Sequence, residues 1–187
     1  MKPWHLLMLP LLLALVACQD DTRCAALIGG GNYCLQPTTD VHPFDVQQKA
    51  DARFGDRRET MIAEIEVDAA GADVVALTPF GHTLLQVHYD NRQATAATLP
   101  DQRISPALLM ALLQIAWWPA DSLRVGLEAP ATLEEGAGLR RIVNDGETTL
   151  SIAYEGEQPP DRRLRVSIPS ADLVIDIETL PVVGRTQ

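Results

Sequence analysis

Apolar and polar side chains alternate along many short segments of this chain, and that pattern restricts it to a β-sheet fold. Ile65, for example, lies between Glu64 and Glu66, and successive side chains of a β-strand point to opposite faces of a sheet. Each such segment predicts a strand with one buried and one solvated face, as antiparallel sheets have. The alternation runs through residues 61–68, 83–89, 150–154, 164–168 and 173–177.

Turn-forming sequences separate the predicted strands. Asn144-Asp145-Gly146 contains Asp-Gly, which favours a tight hairpin. Asp90-Asn91, Ala70-Gly71-Ala72 and Thr78-Pro79-Phe80-Gly81 provide three further turns. The chain is therefore predicted to form two groups of consecutive hairpin-linked strands, one on each side of a helical insertion.

The helical insertion begins at a clear N-terminal signal. Ser105 is a typical N-cap residue and Pro106 suits the first helical position. Residues 107–113 are uncharged and apolar, and Trp117-Trp118-Pro119 ends the helix before a short second one over residues 120–125. A helix that is apolar on all sides is usually buried in a core, and the alternative is a lid over an apolar cavity.

The lid alternative identifies two sets of residues. A curved sheet closed by such a helix encloses an apolar cavity between the two. The sheet side of the cavity is predicted to be lined by Ile65, Leu77, Leu85, Val87, Ile152 and Val166, and the lid side by Leu109, Leu112, Leu113, Trp117 and Trp118.

Phe80 is an unusual residue for a tight turn, because turns favour Gly, Pro, Asn, Asp and Ser. Its ring either packs back on its own hairpin or projects and contacts something apolar. The hairpin pattern by itself favours packing.

The N-terminus has the organisation of a secretory signal. Lys2 precedes twelve uncharged residues from Leu6 to Ala17, too few for a membrane-spanning helix, which needs about 20. The run ends in Leu15-Val16-Ala17-Cys18, which resembles the lipobox of bacterial lipoproteins. That resemblance implies cleavage before Cys18 and lipidation of its thiol. Because Gln19 and not Asp follows, it also implies anchoring in the outer membrane, facing the periplasm. The alternative is an ordinary signal peptide with a chance cysteine.

Cys24 and Cys34 follow the predicted cleavage site. Because the periplasm is oxidising, we favour a disulfide between them over two free thiols or an intermolecular bridge. No Cys-x-x-Cys is present, so a redox role is not indicated. The Gly29-Gly30-Gly31 triplet is typical of a loop. We therefore expect a signal peptide over residues 1–17, a lipidated tether over residues 18–46 and one folded domain over residues 47–183.

Charge and motifs argue against several classes of function. The net charge of −10 over 187 residues would repel nucleic-acid phosphates. The sequence contains no Gly-x-Ser-x-Gly elbow and no His-Glu-x-x-His pattern. His82 and His88 lie on one predicted strand about 20 Å apart, too far to share a metal. We expect a non-enzymatic protein with no cofactor, metal or nucleic-acid partner.

The segment from Val74 to Leu85, with its Thr78-Pro79-Phe80-Gly81 turn, resembles a strand–turn–strand of the LolB family, outer-membrane receptors of lipoprotein localisation. The turn there reads Asn-Pro-Leu-Gly and its leucine protrudes towards the membrane, so the resemblance implies that Phe80 projects. The segment from Leu108 to Arg124 resembles that family's helical insertion, and the segment from Leu164 to Ile177 resembles its last two strands.

A closer resemblance is to the bacterial lipoprotein family called domain of unknown function 3261. Its Leu-Gln-(Ile/Leu)-Ala-(Tyr/Trp)-Trp-Pro signature is matched by Leu113 to Pro119, and its Gly-(Gln/His)-x-Leu-Leu segment by Gly81 to Leu85. Genes of that family often accompany clusters that make aryl polyene lipids. The resemblance implies a mainly β, LolA/LolB-like fold, a half-open antiparallel barrel with the helical insertion as its lid. Cys24 and Cys34 have no counterpart in LolB.

Three functional hypotheses follow. In the first, the protein is anchored through Cys18 and binds an acylated or polyene lipid or a lipoprotein. It inserts this cargo into the inner leaflet of the outer membrane. A LolA-like periplasmic carrier is a candidate partner. In the second, the barrel interior is filled by its own side chains and the protein is a structural or assembly module. The third, a hydrolase or acyltransferase, is least favoured because no nucleophile–base pair is recognisable.

Overall fold

The computed structural model describes residues 23–101, 104–156 and 163–181. These residues form a mainly β protein. In chain order, two α-helices separate two groups of strands. The elements are β1 (Cys24–Ala26), β2 (Asn32–Cys34), β3 (Phe44–Phe54), β4 (Arg57–Val67), β5 (Ala72–Leu77), β6 (Thr83–Tyr89), β7 (Ala94–Thr98), α1 (Pro106–Trp117), α2 (Ala120–Gly126), β8 (Leu127–Glu128), β9 (Thr132–Gly136), β10 (Leu139–Asn144), β11 (Glu147–Glu155), β12 (Arg163–Ile168) and β13 (Leu173–Thr179).

Both groups of strands belong to one antiparallel sheet. Its order is β7-β6-β5-β4-β3-β13-β12-β11-β10-β9. β3 pairs with its hairpin partner β4 and with the last strand β13, so Ala50 lies between Met61 and Ile177. This central position of β3 joins the two groups. The edge strands β7 and β9 are not paired with each other, so the described strands form an open sheet and not a closed barrel.

One face of the large sheet, called here the inner face, carries the core. Directly paired residues on neighbouring strands lie on the same face, and the pairs Val46–Ile65 and Ile152–Val166 mark this one. All four side chains are buried in a single apolar cluster that also contains most of α1. The opposite, outer face carries exposed charges such as Glu64 on β4, so the predicted alternation is confirmed there.

The predicted helix boundaries agree closely with the structure. The Ser105 hydroxyl accepts a hydrogen bond from the Leu108 N–H at 3.1 Å, which caps the start of α1. The helix ends at Trp117, two residues before Pro119, as expected because proline disfavours helical backbone in the residue before it. α2 then covers the predicted short second helix.

The N-terminal segment is part of the folded core, whereas the sequence predicted a tether over residues 18–46. β1 and β2 form a hairpin, and β2 also pairs with β8 in a second, three-stranded sheet. Tyr33 and Leu35 are fully buried. This packing occurs because α1 is apolar beyond the side that faces the large sheet, and the segment covers part of what remains. β3 accordingly starts at Phe44, before the predicted boundary at residue 47. Residues 18–22 and 182–183 lie outside the described residues.

The β1–β2 hairpin is closed by a disulfide. Cys24 lies directly opposite Cys34 across the hairpin, and their sulfur atoms are bonded. The intervening turn uses the glycine triplet, and all three of its residues have positive φ, which glycine adopts at little cost. A Cβ on Gly31 would lie 2.7 Å from the Cβ of Ala131, so close packing also requires glycine here.

We expect Tyr33→Ala to lower the free energy of unfolding by about 3–5 kcal/mol, because it removes a fully buried aromatic side chain. Thermal and urea unfolding monitored by circular dichroism measure the change. Thr39→Ala, which alters an exposed residue of the same segment, is the matched control and is expected to change little. Equal stability of the two variants would support a tether and contradict the packed segment.

Candidate functional site

Phe80 lies at the tip of the β5–β6 hairpin and its side chain is 89% exposed. Three hydrogen bonds close the turn beneath it: Thr78 N–H to the His82 carbonyl at 2.8 Å, Gly81 N–H to the Thr78 carbonyl at 2.9 Å and His82 N–H to the Thr78 hydroxyl at 3.1 Å. Gly81 has φ +84°, which allows the chain to reverse. The turn therefore presents the ring to the surroundings and does not pack it on the hairpin.

Most sheet residues of the predicted cavity lie in the core. Ile65, Val87, Ile152 and Val166 are buried in the apolar cluster, and Leu85 is partly buried against it. Leu77 does not join them. It is paired with Ile62, one position after the buried Ala76, and a one-residue step along a strand reverses the face. Leu77 therefore lies on the outer face. The prediction that Leu77 lines the inner side of the sheet is wrong.

The predicted lid residues divide into two groups along α1. Leu109, Leu112 and Leu113 are half-buried, with part of each side chain open to solvent. Trp117 and Trp118, at the C-terminal end, are buried. Trp117 stacks on Phe44 with ring centroids 4.9 Å apart. The Trp118 indole N–H donates to the Pro37 carbonyl at 3.0 Å. The two tryptophans therefore fix the helix end, and the leucines form its partly open side.

Gln114 is the buried polar centre of the contact between α1 and the N-terminal segment. Its Oε1 accepts from the Tyr33 hydroxyl at 2.9 Å and from the Gln36 N–H at 2.8 Å. Its Nε2 donates to the Gln36 carbonyl at 2.8 Å. Burial raises the pKa of the Tyr33 hydroxyl far above its ordinary value, so Tyr33 stays a neutral donor at every physiological pH.

Arg140 holds the C-terminal end of α1 from the inner face of the sheet. Its Nη1 donates to the Ile115 carbonyl at 2.6 Å and to the Trp118 carbonyl at 3.0 Å. The same guanidinium pairs with Glu135 at 2.8 Å. The carbonyl groups at a helix C-terminus have no helical donors, and a cation there also interacts favourably with the helix dipole. Nearby, the Tyr154 hydroxyl donates to the Ala116 carbonyl at 2.9 Å.

The polar bonds to α1 are thus concentrated at one end. Within the described part of the chain, every side-chain hydrogen bond that joins α1 or its C-cap to another element involves residues 114–118. The N-terminal part, residues 106–113, contacts the sheet and the N-terminal segment through apolar side chains. One end of the helix is therefore held by directional bonds and the other by non-directional packing.

Three clefts formed by described residues have charged side chains in their walls. One of about 320 Å³ lies beside Lys49 and Arg165, and one of about 400 Å³ lies beside Arg53 and Arg58. A third, of about 140 Å³, lies at the C-terminal end of α1 beside Arg140. The six sheet residues of the predicted cavity line none of these three clefts.

Histidine and cysteine side chains do not form a catalytic arrangement in the described residues. His88 Nδ1 lies 2.9 Å from Asp73 Oδ1 in an exposed pair on the outer face. Cys24, Cys34 and Glu128 have ligand-type atoms within 4.8 Å of one another. Thiolates are the sulfur ligands of metals, and here both sulfurs are joined in the disulfide. Cys18, the predicted lipidation site, lies outside the described residues.

Tyr33, Gln114 and Arg140 were not predicted as site residues. Gln114 had a usable signal, because it is the one amide in an otherwise apolar helix, and buried polar groups generally have partners. Arg140 gave no such signal in the sequence. Its neighbours on β10 are compatible with either face of the sheet, so the sequence pattern does not show that Arg140 points inward. Tyr33 lies within residues 18–46, which the sequence predicts to be a tether, so it was not expected in a core.

The sequence matches the family described as "Protein of unknown function (DUF3261)" over residues 45–181. The chain belongs to this family. The predicted family is therefore confirmed, and the match spans β3 to β13 while β1 and β2 precede it. No curated protein matches the chain. Among the described residues, no helix has the length and apolar content that crossing a membrane requires.

We expect Arg140→Met to lower the free energy of unfolding by about 1.5–3 kcal/mol, because two helix carbonyls and Glu135 lose a charged donor. Arg141→Met is the matched control: Arg141 is exposed, and its nearest carboxylate oxygen, on Glu134, is 3.9 Å away. Urea unfolding of both variants measures the difference. A loss no larger for Arg140→Met than for Arg141→Met would contradict the proposed role in holding α1.

Proposed function

We propose that this member of the family is a non-enzymatic lipoprotein of the outer membrane that binds an acylated or polyene lipid, or a lipoprotein, and inserts it into the inner leaflet. A periplasmic LolA-like carrier is the proposed donor. In this proposal the ten-stranded sheet curves round α1 as a half-open barrel, and α1 is its lid. The observation that carries the proposal is the unequal attachment of α1, polar at residues 114–118 and apolar at residues 106–113.

Apolar attachment of the N-terminal part of α1 suits exchange with a lipid chain. Side chains such as Leu109 and Leu112 have no hydrogen bonds to break when the helix shifts. An acyl chain that replaces their contacts with the apolar cluster restores burial at about 0.8 kcal/mol per methylene. The bonds of Gln114 and Arg140 would remain in place and act as the fixed end of the lid. Binding energy then needs no catalytic group.

Phe80 supports the membrane part of the proposal. Its ring is exposed at the tip of a turn that is braced by three hydrogen bonds. Transfer of such a ring into the bilayer interface is worth about 1.5–3 kcal/mol, too little to hold a protein on a membrane by itself. Several acyl chains at Cys18 would supply stable anchoring, and Phe80 would then direct the hairpin towards the lipid.

A filled structural module is the second candidate, favoured by a different observation. Ile65, Val87, Ile152 and Val166 are all buried in one apolar cluster, and the clefts described above have charged walls. Such a protein would present its surface to a partner and bind no lipid internally. The two candidates differ in whether the N-terminal part of α1 moves.

Hydrogen exchange and lipid analysis on one preparation separate the two candidates. The carrier predicts that backbone amides of residues 110–113 exchange faster than those of residues 114–117, and that a long-chain lipid co-purifies and slows their exchange. Mass spectrometry of an organic extract identifies the lipid. Equal protection along α1 together with a lipid-free protein would contradict the carrier and support the filled module.

We expect Phe80→Glu to leave the melting temperature unchanged and to weaken binding to lipid vesicles. The exposed ring contributes little to folding, whereas a carboxylate is poorly accommodated in a bilayer interface. Phe80→Leu is the matched control and is expected to retain most of the binding. A fall of several degrees in the melting temperature of Phe80→Glu would indicate a packed ring and contradict membrane contact.

We expect Cys18→Ala to remain unlipidated and to release the folded domain from the outer membrane, because Cys18 supplies the thiol that is acylated in this proposal. Labelling with radioactive palmitate and fractionation of membranes measure both effects. Cys34→Ala, which leaves Cys18 intact, is the control and should still be labelled. Labelling and sedimentation of Cys18→Ala at the wild-type level would contradict the anchor.

A further inference from the structure

The β3–β4 hairpin ends in a second exposed tip, residues 53–59, which we call the arginine tip. β5 ends at Leu77, opposite Ile62 of β4, so β4 extends beyond β5 by the five residues from Arg57 to Met61. All seven residues of the arginine tip are exposed, and Phe54 is 45% exposed. β5 runs antiparallel to β4, so the turn that carries Phe80 lies at the same end of the sheet.

The arginine tip carries cations without carboxylate partners. Arg53 lies directly opposite Arg58 across the hairpin, an arrangement of like charges that is unfavourable for folding. Within the described part of the chain, neither these two residues nor Arg57 forms a salt bridge, whereas Arg140, Arg163 and Arg165 each lie within 2.8 Å of a carboxylate oxygen.

The local charge also differs from that of the whole protein. Three arginines and two acids, Asp56 and Glu59, give the seven residues of the arginine tip a net charge of +1 (3 − 2), in a chain with a net charge of −10. The Asp172 carboxylate lies beside Gly55 at the base of the tip. The Gly55 N–H donates to the Asp172 carbonyl at 3.2 Å, which fixes the tip to the turn between β12 and β13. The three guanidinium groups are therefore displayed on a braced hairpin and not on a free loop.

Guanidinium groups recognise phosphate through paired N–H donors, and aromatic side chains settle at the boundary between headgroups and acyl chains. We propose that the arginine tip is a second membrane contact that binds the phosphate groups of anionic phospholipids, with Phe54 inserted beside them. This inference rests on the proposed function, since it places the tip and Phe80 on the same bilayer, and it adds the class of lipid that the protein contacts. The lipid phosphates would then offset the repulsion between the paired Arg53 and Arg58.

Vesicle flotation with the unlipidated mature polypeptide, residues 19–187, tests the proposal; this polypeptide contains every described core residue. The probes are vesicles of phosphatidylethanolamine with phosphatidylglycerol, and neutral vesicles of phosphatidylcholine. We expect tighter binding to the anionic vesicles, weakened by added salt. Each of Arg53→Gln, Arg57→Gln and Arg58→Gln should weaken that binding about fivefold and leave binding to neutral vesicles unchanged.

Arg92→Gln is the matched control. Arg92 is exposed and forms no salt bridge among the described residues, and it lies in the turn between β6 and β7, at the opposite end of the sheet. Its substitution should not change binding to either vesicle. Equal melting temperatures of all variants show that folding is intact.

The outcomes distinguish this inference from the proposed function. If the three arginine variants bind anionic vesicles as the wild type does, or if Arg92→Gln weakens binding equally, the arginine tip is not the contact and the inference is wrong. If at the same time Phe80→Ser, which changes no charge, still weakens binding to the anionic vesicles, the membrane contact of the Phe80 turn stands. Equal binding of the wild type to both kinds of vesicle would also overturn the preference for anionic lipid.

Discussion

The hydrogen bonds of one buried amide set the position of α1, on which the rest of the structure depends. α1 has a single polar side chain apart from its terminal Trp117, and that side chain is Gln114. Apolar packing alone allows a helix to slide or rotate, because the hydrophobic effect has no direction. Gln114 has three buried partners in the N-terminal segment, on Tyr33 and Gln36. Rotation of α1 would break all three, so the amide ties the helix to the segment that covers it, while Trp118 and Arg140 hold the helix end.

The parts of the fold that could be predicted are those with strong local signals. β4, β6, β11, β12 and β13 alternate clearly, since their outer faces meet water and their inner faces meet the core. α1 has its N-cap Ser105 and its stop at Pro119. Phe80 could be singled out because an aromatic side chain is rare in a tight turn, although the resemblance, not the pattern, indicated that it projects.

The parts that could not be predicted are held by contacts between distant residues. β3 buries Gln48 and Ala50 in place of large apolar side chains, and Gln48 is satisfied by the Thr179 hydroxyl at 3.2 Å. Its alternation is therefore weak in a hydrophobicity pattern, because small or polar side chains occupy the inner positions from Gln48 to Ala52, although β3 is the strand that joins both halves of the sheet. β1 and β2 have three residues each, too few for any period to show. Arg140 faces inward because it is paired with the buried Ile152, and the carbonyls of α1 accept from its guanidinium, a partner that only the assembled fold reveals.

The position of the N-terminus limits how an anchored molecule can meet the membrane. The Arg23 side chain donates to the Leu35 carbonyl at 2.9 Å, and the Tyr89 hydroxyl donates to the same carbonyl at 3.4 Å. Arg23 therefore lies near the Tyr89 end of β6, while Phe80 lies beyond the other end, about 20 Å away along the strand. The five residue steps from Cys18 to Arg23 reach at most about 18 Å. If Cys18 carries the lipid, Phe80 and the arginine tip can meet the same bilayer only when the strands are tilted away from the bilayer normal, because a reach of about 18 Å does not span about 20 Å. With upright strands the anchor and the two hairpin tips would lie at different heights above the bilayer, so the anchor and the two proposed contacts together restrict the orientation of the sheet.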